Sequence, residues 1–245
     1  MIKLVATIQR RSDWSREDWL SHYAERHGPL TASVHAFTRH STKYIQNYVL
    51  SVLQAVPPEQ SAAAYDGVSE LWFADVPVLL AAYAEPEYMD ILRPDELRFN
   101  TFETIKVLLG TEHVIDEGAP RRDDKRWAQA ARCHTMILRE PATGITNAAL
   151  QAGWRDAGAV ITADPAYVRH AHRYLQTHAI APVDELPGAC AFGLIDEFWT
   201  SSADDALALC KALDASPELA ELEAGLTVPD RKLTITAQSH LVYGE

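Results

Sequence analysis

Tyr44 to Leu50 reads YIQNYVL, and Tyr174 to Ile180 reads YLQTHAI. Aromatic and branched apolar residues at this density make each a strand. Their likeness asks whether the chain repeats itself, and three further pairs answer. ELWF at Glu70 returns as EFWT at Glu197, PEYM at Pro86 as PELA at Pro217, and EHVI at Glu112 as SHLV at Ser239. The four pairs lie 130, 127, 131 and 127 residues apart, a drift small enough for an internal duplication with short loop insertions.

Outward from YIQNYVL, residues 2–8 (IKLVATI) read as a strand. Ser15 reads as the N-cap of a helix on which Trp19, Leu20, Tyr23 and Ala24 recur at helical spacing. Residues 43–51 and 67–73 are strands, 75–84 and 86–97 are helical, and 111–116 close the unit as a last strand. The order is βαββαβ, the ferredoxin-like arrangement. The expected fold is therefore α+β, with units at 1–118 and 131–245 joined by a linker at 119–130. One four-stranded sheet with helices on a single face leaves its other face bare. Two such sheets cover each other, forming an intramolecular dimeric α/β barrel.

Composition fits that picture. The 245 residues are 47% apolar and 23% charged, as in soluble globular proteins. A net charge of −12 argues against nucleic acid, and Arg121-Arg122 are cancelled at once by Asp123-Asp124. The first apolar run is too short for a signal peptide, and the run from Val76 to Ala84 is too short for a membrane span. Cys133, Cys190 and Cys210 have no CxxC spacing and read as buried thiols. The cytoplasm is the expected location.

HYAERHGPL (22–30) places two histidines five residues apart before Gly28-Pro29, which reads as a helix end. A helix C-terminus favours positive charge, so His27 would be a competent general acid, or a base. A histidine that only caps the last carbonyls is the structural alternative. His22 would face nearly the opposite side, toward solvent. On the strand, Tyr44, Gln46 and Tyr48 share one face and Ile45, Asn47 and Val49 the other. If Ile45 and Val49 pack inward, the Asn47 amide goes with them and needs partners, which a ligand or water can supply. Tyr48 can donate a proton or be structural. Glu70, on the face of Trp72, is a candidate buried acid with a raised pKa, although a solvated or arginine-paired glutamate is commoner. Trp19, Tyr23, Trp72 and Phe73 can line an aromatic pocket or simply pack a core.

A strand read at 169–178 would put His170, His172 and His178 on one face. His178 lies six positions past His172, about 20 Å along an extended chain, and cannot share its ion. No metal ligand is assigned. GxGxxG, P-loop, GxSxG and HExxH motifs are all missing from the sequence, so no nucleotide cofactor is expected.

The pieces IKLVATIQRR, W-x3-Y-x3-H-G-P-L from Trp19, YIQNYVL, YDGVSELWF and PEYM followed by DELRF resemble the EthD family. The second half is similar only in YLQTHAI, the EFW strand, SPELA and the last strand. The resemblance implies a dimeric α/β barrel of ferredoxin-like units, supplied here by one chain. It matches His27 to a family histidine and puts Tyr48 where the family commonly has another. At the helix offset Trp19 falls on Leu150, Tyr23 on Trp154 and His27 on Gly158, while His178 occupies the strand-histidine position. Each half keeps one of the two histidines, which favours a single active site in the first half.

The family includes dehydratases, decarboxylases and cyclase-like proteins of aromatic or polyketide-derived molecules. The leading expectation is thus a cofactor-independent lyase-type enzyme, in which His27 moves a proton while Tyr48 and Glu70 hold charge. Trp19, Tyr23, Tyr44, Asn47, Trp72 and His178 would contact a hydrophobic or aromatic substrate. The rivals are a cofactor-free monooxygenase of an electron-rich phenol or anthrone, and a non-catalytic binding or accessory protein. Neither nucleic acid nor membrane is an expected partner, and pairing of two chains into a homodimer is left open.

Overall fold

Strands whose two faces are both covered cannot alternate between apolar and polar, and three of the strands here are buried along their whole length. The computed structural model describes residues 1–54, 65–118, 133–180 and 191–244, leaving the expected linker and Cys190 outside. Its strands are β1 (Ile2–Ile8), β2 (Ser41–Gln54), β3 (Gly67–Phe73), β4 (Lys106–Asp116), β5 (Cys133–Arg139), β6 (Ala171–Ala179), β7 (Leu194–Thr200) and β8 (Leu233–Tyr243). They close into an antiparallel barrel in the order β1-β3-β2-β8-β5-β7-β6-β4.

The order is β4-β1-β3-β2 in the first half and β8-β5-β7-β6 in the second, with seams at β2–β8 and β4–β6. Closure leaves neither sheet with a free edge. Val5, Val49, Val68, Leu108, Met136, Ile195 and Ile235 fill part of the barrel interior. Two further apolar layers lie between the barrel wall and the helices of each half. Cys133 and Cys210 are buried free thiols. Among the described residues, no helix is long and apolar enough to cross a membrane.

Ser15 caps its helix as expected, accepting from the Asp18 N–H. Three differences from the sequence reading bear on the site. β4 begins at Lys106 rather than at 111, because Leu108 faces the barrel and Leu109 the helices, which hides the alternation. Residues 169–170 end a short helix (Pro165–His170), so His170 is not on the strand; its ring bonds Asp205. Gly28-Pro29 does not end the first helix. The run Arg16–His22 passes through a π turn, Tyr23–His27, into Gly28–Ser33. The Gly28 N–H reaches back five residues to the Tyr23 carbonyl. This wide turn lets a proline lacking an N–H follow without breaking the helix.

Candidate active site

The π turn decides where two histidines point. In a regular α-helix, residues five apart diverge by roughly 140°. The i→i+5 turn brings them onto one side. His22 Nε2 and His27 Nδ1 consequently grip the two oxygens of one carboxylate, Asp95, at 2.8 and 2.9 Å. His22 therefore does not face solvent, and His27 lies within a helix rather than at its C-terminus. Asp95, not the end of a helix dipole, is the charged partner of His27. Burial pushes the Asp95 carboxyl up, but the bonds to His27 and His22 outweigh it and hold Asp95 below the usual carboxylate range.

His27 is 6% exposed and lines a cavity of about 240 Å³ between the first-half sheet and its helices. The walls include Leu4, Ala6, Leu71, Phe37 and Leu92, with Tyr44, Tyr83 and Tyr88 adding phenols. Burial keeps all three phenols protonated, well above their ordinary range. Glu96 also faces this space, accepts from the Tyr88 hydroxyl at 2.9 Å, and is pushed up by burial. A raised carboxyl beside an imidazole held by a carboxylate is a proton donor next to a proton acceptor.

Of the residues singled out from the sequence, His27 and Tyr44 line this cavity; Asp95, Glu96, Tyr83 and Tyr88 were not singled out. The DELRF segment carries the two acids, and only the fold shows which helix they oppose. Trp19 and Tyr23 stand one layer behind the wall. Trp19 donates to the side chain of Asn100 at 2.9 Å, and Tyr23 lies 2.7 Å from Ser69 Oγ. Both partners line the cavity. Gln46, unassigned from sequence, donates to the Tyr23 carbonyl inside the π turn and meets Tyr44 and Tyr48. Tyr48 is half-buried, its phenol pushed up to about 12 by burial, and it is not among the residues lining the cavity.

Glu70, Asn47 and Trp72 belong to the other face of the sheet, which corrects their assignment to one pocket with His27. Alternation sends them into the barrel. There Lys3 Nζ lies 2.5 Å from Glu70 Oε1, 2.7 Å from Glu197 Oε2 and 3.2 Å from Glu112 Oε1. Glu70 is thus not an isolated acid in an apolar pocket, nor paired with arginine, but bound to a lysine. Burial would strip the Lys3 proton, but Glu197, Glu70 and Glu112 more than reverse this and hold its pKa up. Asn47 donates to Glu70 Oε2 at 2.7 Å, and Trp72 donates to Glu112 at 2.9 Å. His134 stacks on Trp199 with ring centres 4.3 Å apart.

His178 lies in the other half, on the outward face of β6, with Nε2 2.9 Å from Gln176 Oε1. Burial, with the charges of His113 and Arg155, pulls it down to about 4, so it is neutral at physiological pH. It does not share a pocket with His27. Among the described residues, the second-half layer that corresponds to the cavity holds a packed set of side chains. Asp196, at the register position matching Ser69, accepts from Tyr174, Trp154 and Arg139 at 2.7, 3.0 and 2.8 Å. The Arg139 guanidinium lies over Trp154 at 4.2 Å and pairs with Glu223.

The EthD domain family model matches residues 11–103. No curated protein matches the chain. Solved structures similar to it include an anthrone oxidase-like protein (11% identity, TM-score 0.58, 98% of this chain and 93% of that one). Others are a candidate monooxygenase from Lactobacillus acidophilus NCFM (12%, 0.51, 98% and 94%) and a mutant chlorite dismutase from Candidatus Nitrospira defluvii (11%, 0.51, 97% and 91%). At these identities the likeness is one of fold.

Proposed function

With an EthD domain at residues 11–103, we propose that the chain is an enzyme that moves protons on an aromatic or polyketide-like small molecule held beside His27. The observation that carries this reading is the His27–Asp95 pair, 2.9 Å apart, on an apolar cavity wall that also bears Glu96. Asp95 holds Nδ1–H, so Nε2 carries the free lone pair and acts as base. The reaction best matched is loss of water. Nε2 takes a proton from carbon, the C–H electrons form the double bond, and the C–O bond breaks as Glu96 gives its proton to the departing oxygen. Neutral tyrosine hydroxyls donate to a substrate carbonyl and hold the charge that develops there. No cofactor takes part in these steps.

An oxygenase reading has the names of two structural neighbours in its favour. It uses the same base to deprotonate a phenol or anthrone that then reacts with oxygen. A protonated Glu96 serves elimination better, because a leaving group needs the proton. We also read the halves 1–118 and 131–245 as tandem ferredoxin-like units, supported by their identical strand orders.

The test is to incubate the protein with hydroxylated aromatic ketones and acids, with and without oxygen, and follow product mass. Loss of water under nitrogen, abolished by His27→Ala, is the expected result. Undiminished turnover in His27→Ala would overturn the mechanism, and turnover only in oxygen would favour the oxygenase.

A further inference from the structure

The centre of the barrel holds chemistry that the cavity does not use. Glu70 from β3, His134 from β5 and Glu197 from β7 each present a ligand atom, all within 4.8 Å of one another, and all three residues are buried. An ion with bonds of about 2.1 Å holds tetrahedral ligands about 3.4 Å apart, so closure needs movements of about an ångström. Glu70 Oε1 and His134 Nε2 are shielded from solvent yet make no hydrogen bond of acceptable geometry. Their nearest charged neighbours, Lys3 Nζ at 2.5 Å and Glu197 Oε2 at 3.0 Å, are close but misaligned.

The surroundings are arranged as metal ligands require. Asn47 donates to Glu70 Oε2, and Thr177 donates to Glu197 Oε1 at 2.5 Å, fixing the far oxygen of each carboxylate. Trp199 lies flat against the His134 ring. Three carboxylates, Glu70, Glu197 and Glu112, face one ammonium, so a further positive charge lowers the electrostatic cost.

We propose that Glu70, His134 and Glu197 form a binding site for a divalent transition-metal ion that joins the two halves of the barrel. One imidazole and two carboxylates suit zinc, manganese or ferrous iron. The Lys3 ammonium lies between the same two carboxylates, so binding is an exchange of cations. On metal entry Lys3 swings toward Glu112, which is 26% exposed and already 3.2 Å away. The site is separate from the cavity of His27 and does not depend on the reading of that cavity.

The test uses the full chain, treated with chelator and titrated with Co²⁺. Stoichiometry is read by equilibrium dialysis and proximity by quenching of Trp199 fluorescence. The expected result is one ion per chain, weakened at least about tenfold in His134→Ala. Lys3→Met, which removes the competing ammonium, should tighten binding by a similar factor. His170→Ala with His172→Ala, half-buried histidines that are not members of the cluster, should leave Co²⁺ binding unchanged. Should His134→Ala fail to fold, Thr177→Val replaces it and should weaken binding severalfold. The proposal falls if Co²⁺ binds neither the wild type nor Lys3→Met, or if neither His134→Ala nor Thr177→Val weakens binding.

Discussion

Two helices in corresponding places, 16–33 and 147–163, treat the layer beneath them differently. The first contains a π turn, carries His27 and roofs a cavity. The second is an uninterrupted α-helix of 17 residues with Gly158 where His27 would fall, and a Cβ there would come within 3.1 Å of Ile115. Beneath it Asp196 stands where the first half has Ser69, and Arg139 where it has Ile8. The strands keep the same order and even the same glutamine-to-carbonyl bond, from Gln46 to Tyr23 and from Gln176 to Trp154. The cavity thus depends on the roof and on two wall positions rather than on the barrel.

The largest effect expected on this contrast is at His27. His27→Ala should lower turnover of a true substrate by about 10²–10⁴-fold, measured by product formation at saturation. The matching test of the filled half is Asp196→Ala, which leaves buried Arg139 only Glu223 as a partner and takes the acceptor from Tyr174 and Trp154. It should cost about 3–5 kcal/mol by urea unfolding with the His27 cavity intact. A loss below 1 kcal/mol, about the value of an exposed ion pair, would mean that water already reaches Arg139.

Glu96→Gln should sharpen the chemical assignment through pH. Glu96 works in its protonated form, and burial raises its pKa, so activity should fall as pH rises through that value. The glutamine variant should be slower and lack this alkaline limb. His178 makes a smaller contribution, and to stability. Its pKa lies near 4 in the fold against an ordinary 6.5, so the unfolded chain binds the proton first. Stability should decline as pH drops from 6.5 toward 4, and His178→Gln should flatten that decline in a melting series. Smallest of all is Tyr48→Phe. Because Tyr48 does not line the cavity, turnover should change by less than about threefold.

The fold was legible because strands separated by a constant offset carry their own pairing logic, and YIQNYVL with its copy marks both halves. His27 was legible from its motif, and Tyr44 from strand alternation. The partners were not. Asp95 and His22 meet His27 only because a π turn changes the angular step, and no periodicity of apolar residues encodes that. Asn47 was read as inward on condition that Ile45 and Val49 pack there, and Glu70 as a candidate buried acid beside a commoner solvated one; both side chains are buried. Inward, however, means the inside of the barrel, away from the helices that build the cavity. A sheet with two buried faces gives two interiors, and alternation alone does not say which one holds the ligand.

The barrel closes within a single chain, and this has an evolutionary consequence. In a two-fold homodimer each substitution strikes both copies, so matched positions across the axis must carry the same residue. Here Lys3 and His134 hold the matching places on β1 and β5, opposite Trp72 and Trp199. A covalent join releases each from the other's constraint. One position keeps a lysine among three carboxylates while the other carries an imidazole stacked on a tryptophan, a division of labour unavailable to two identical subunits.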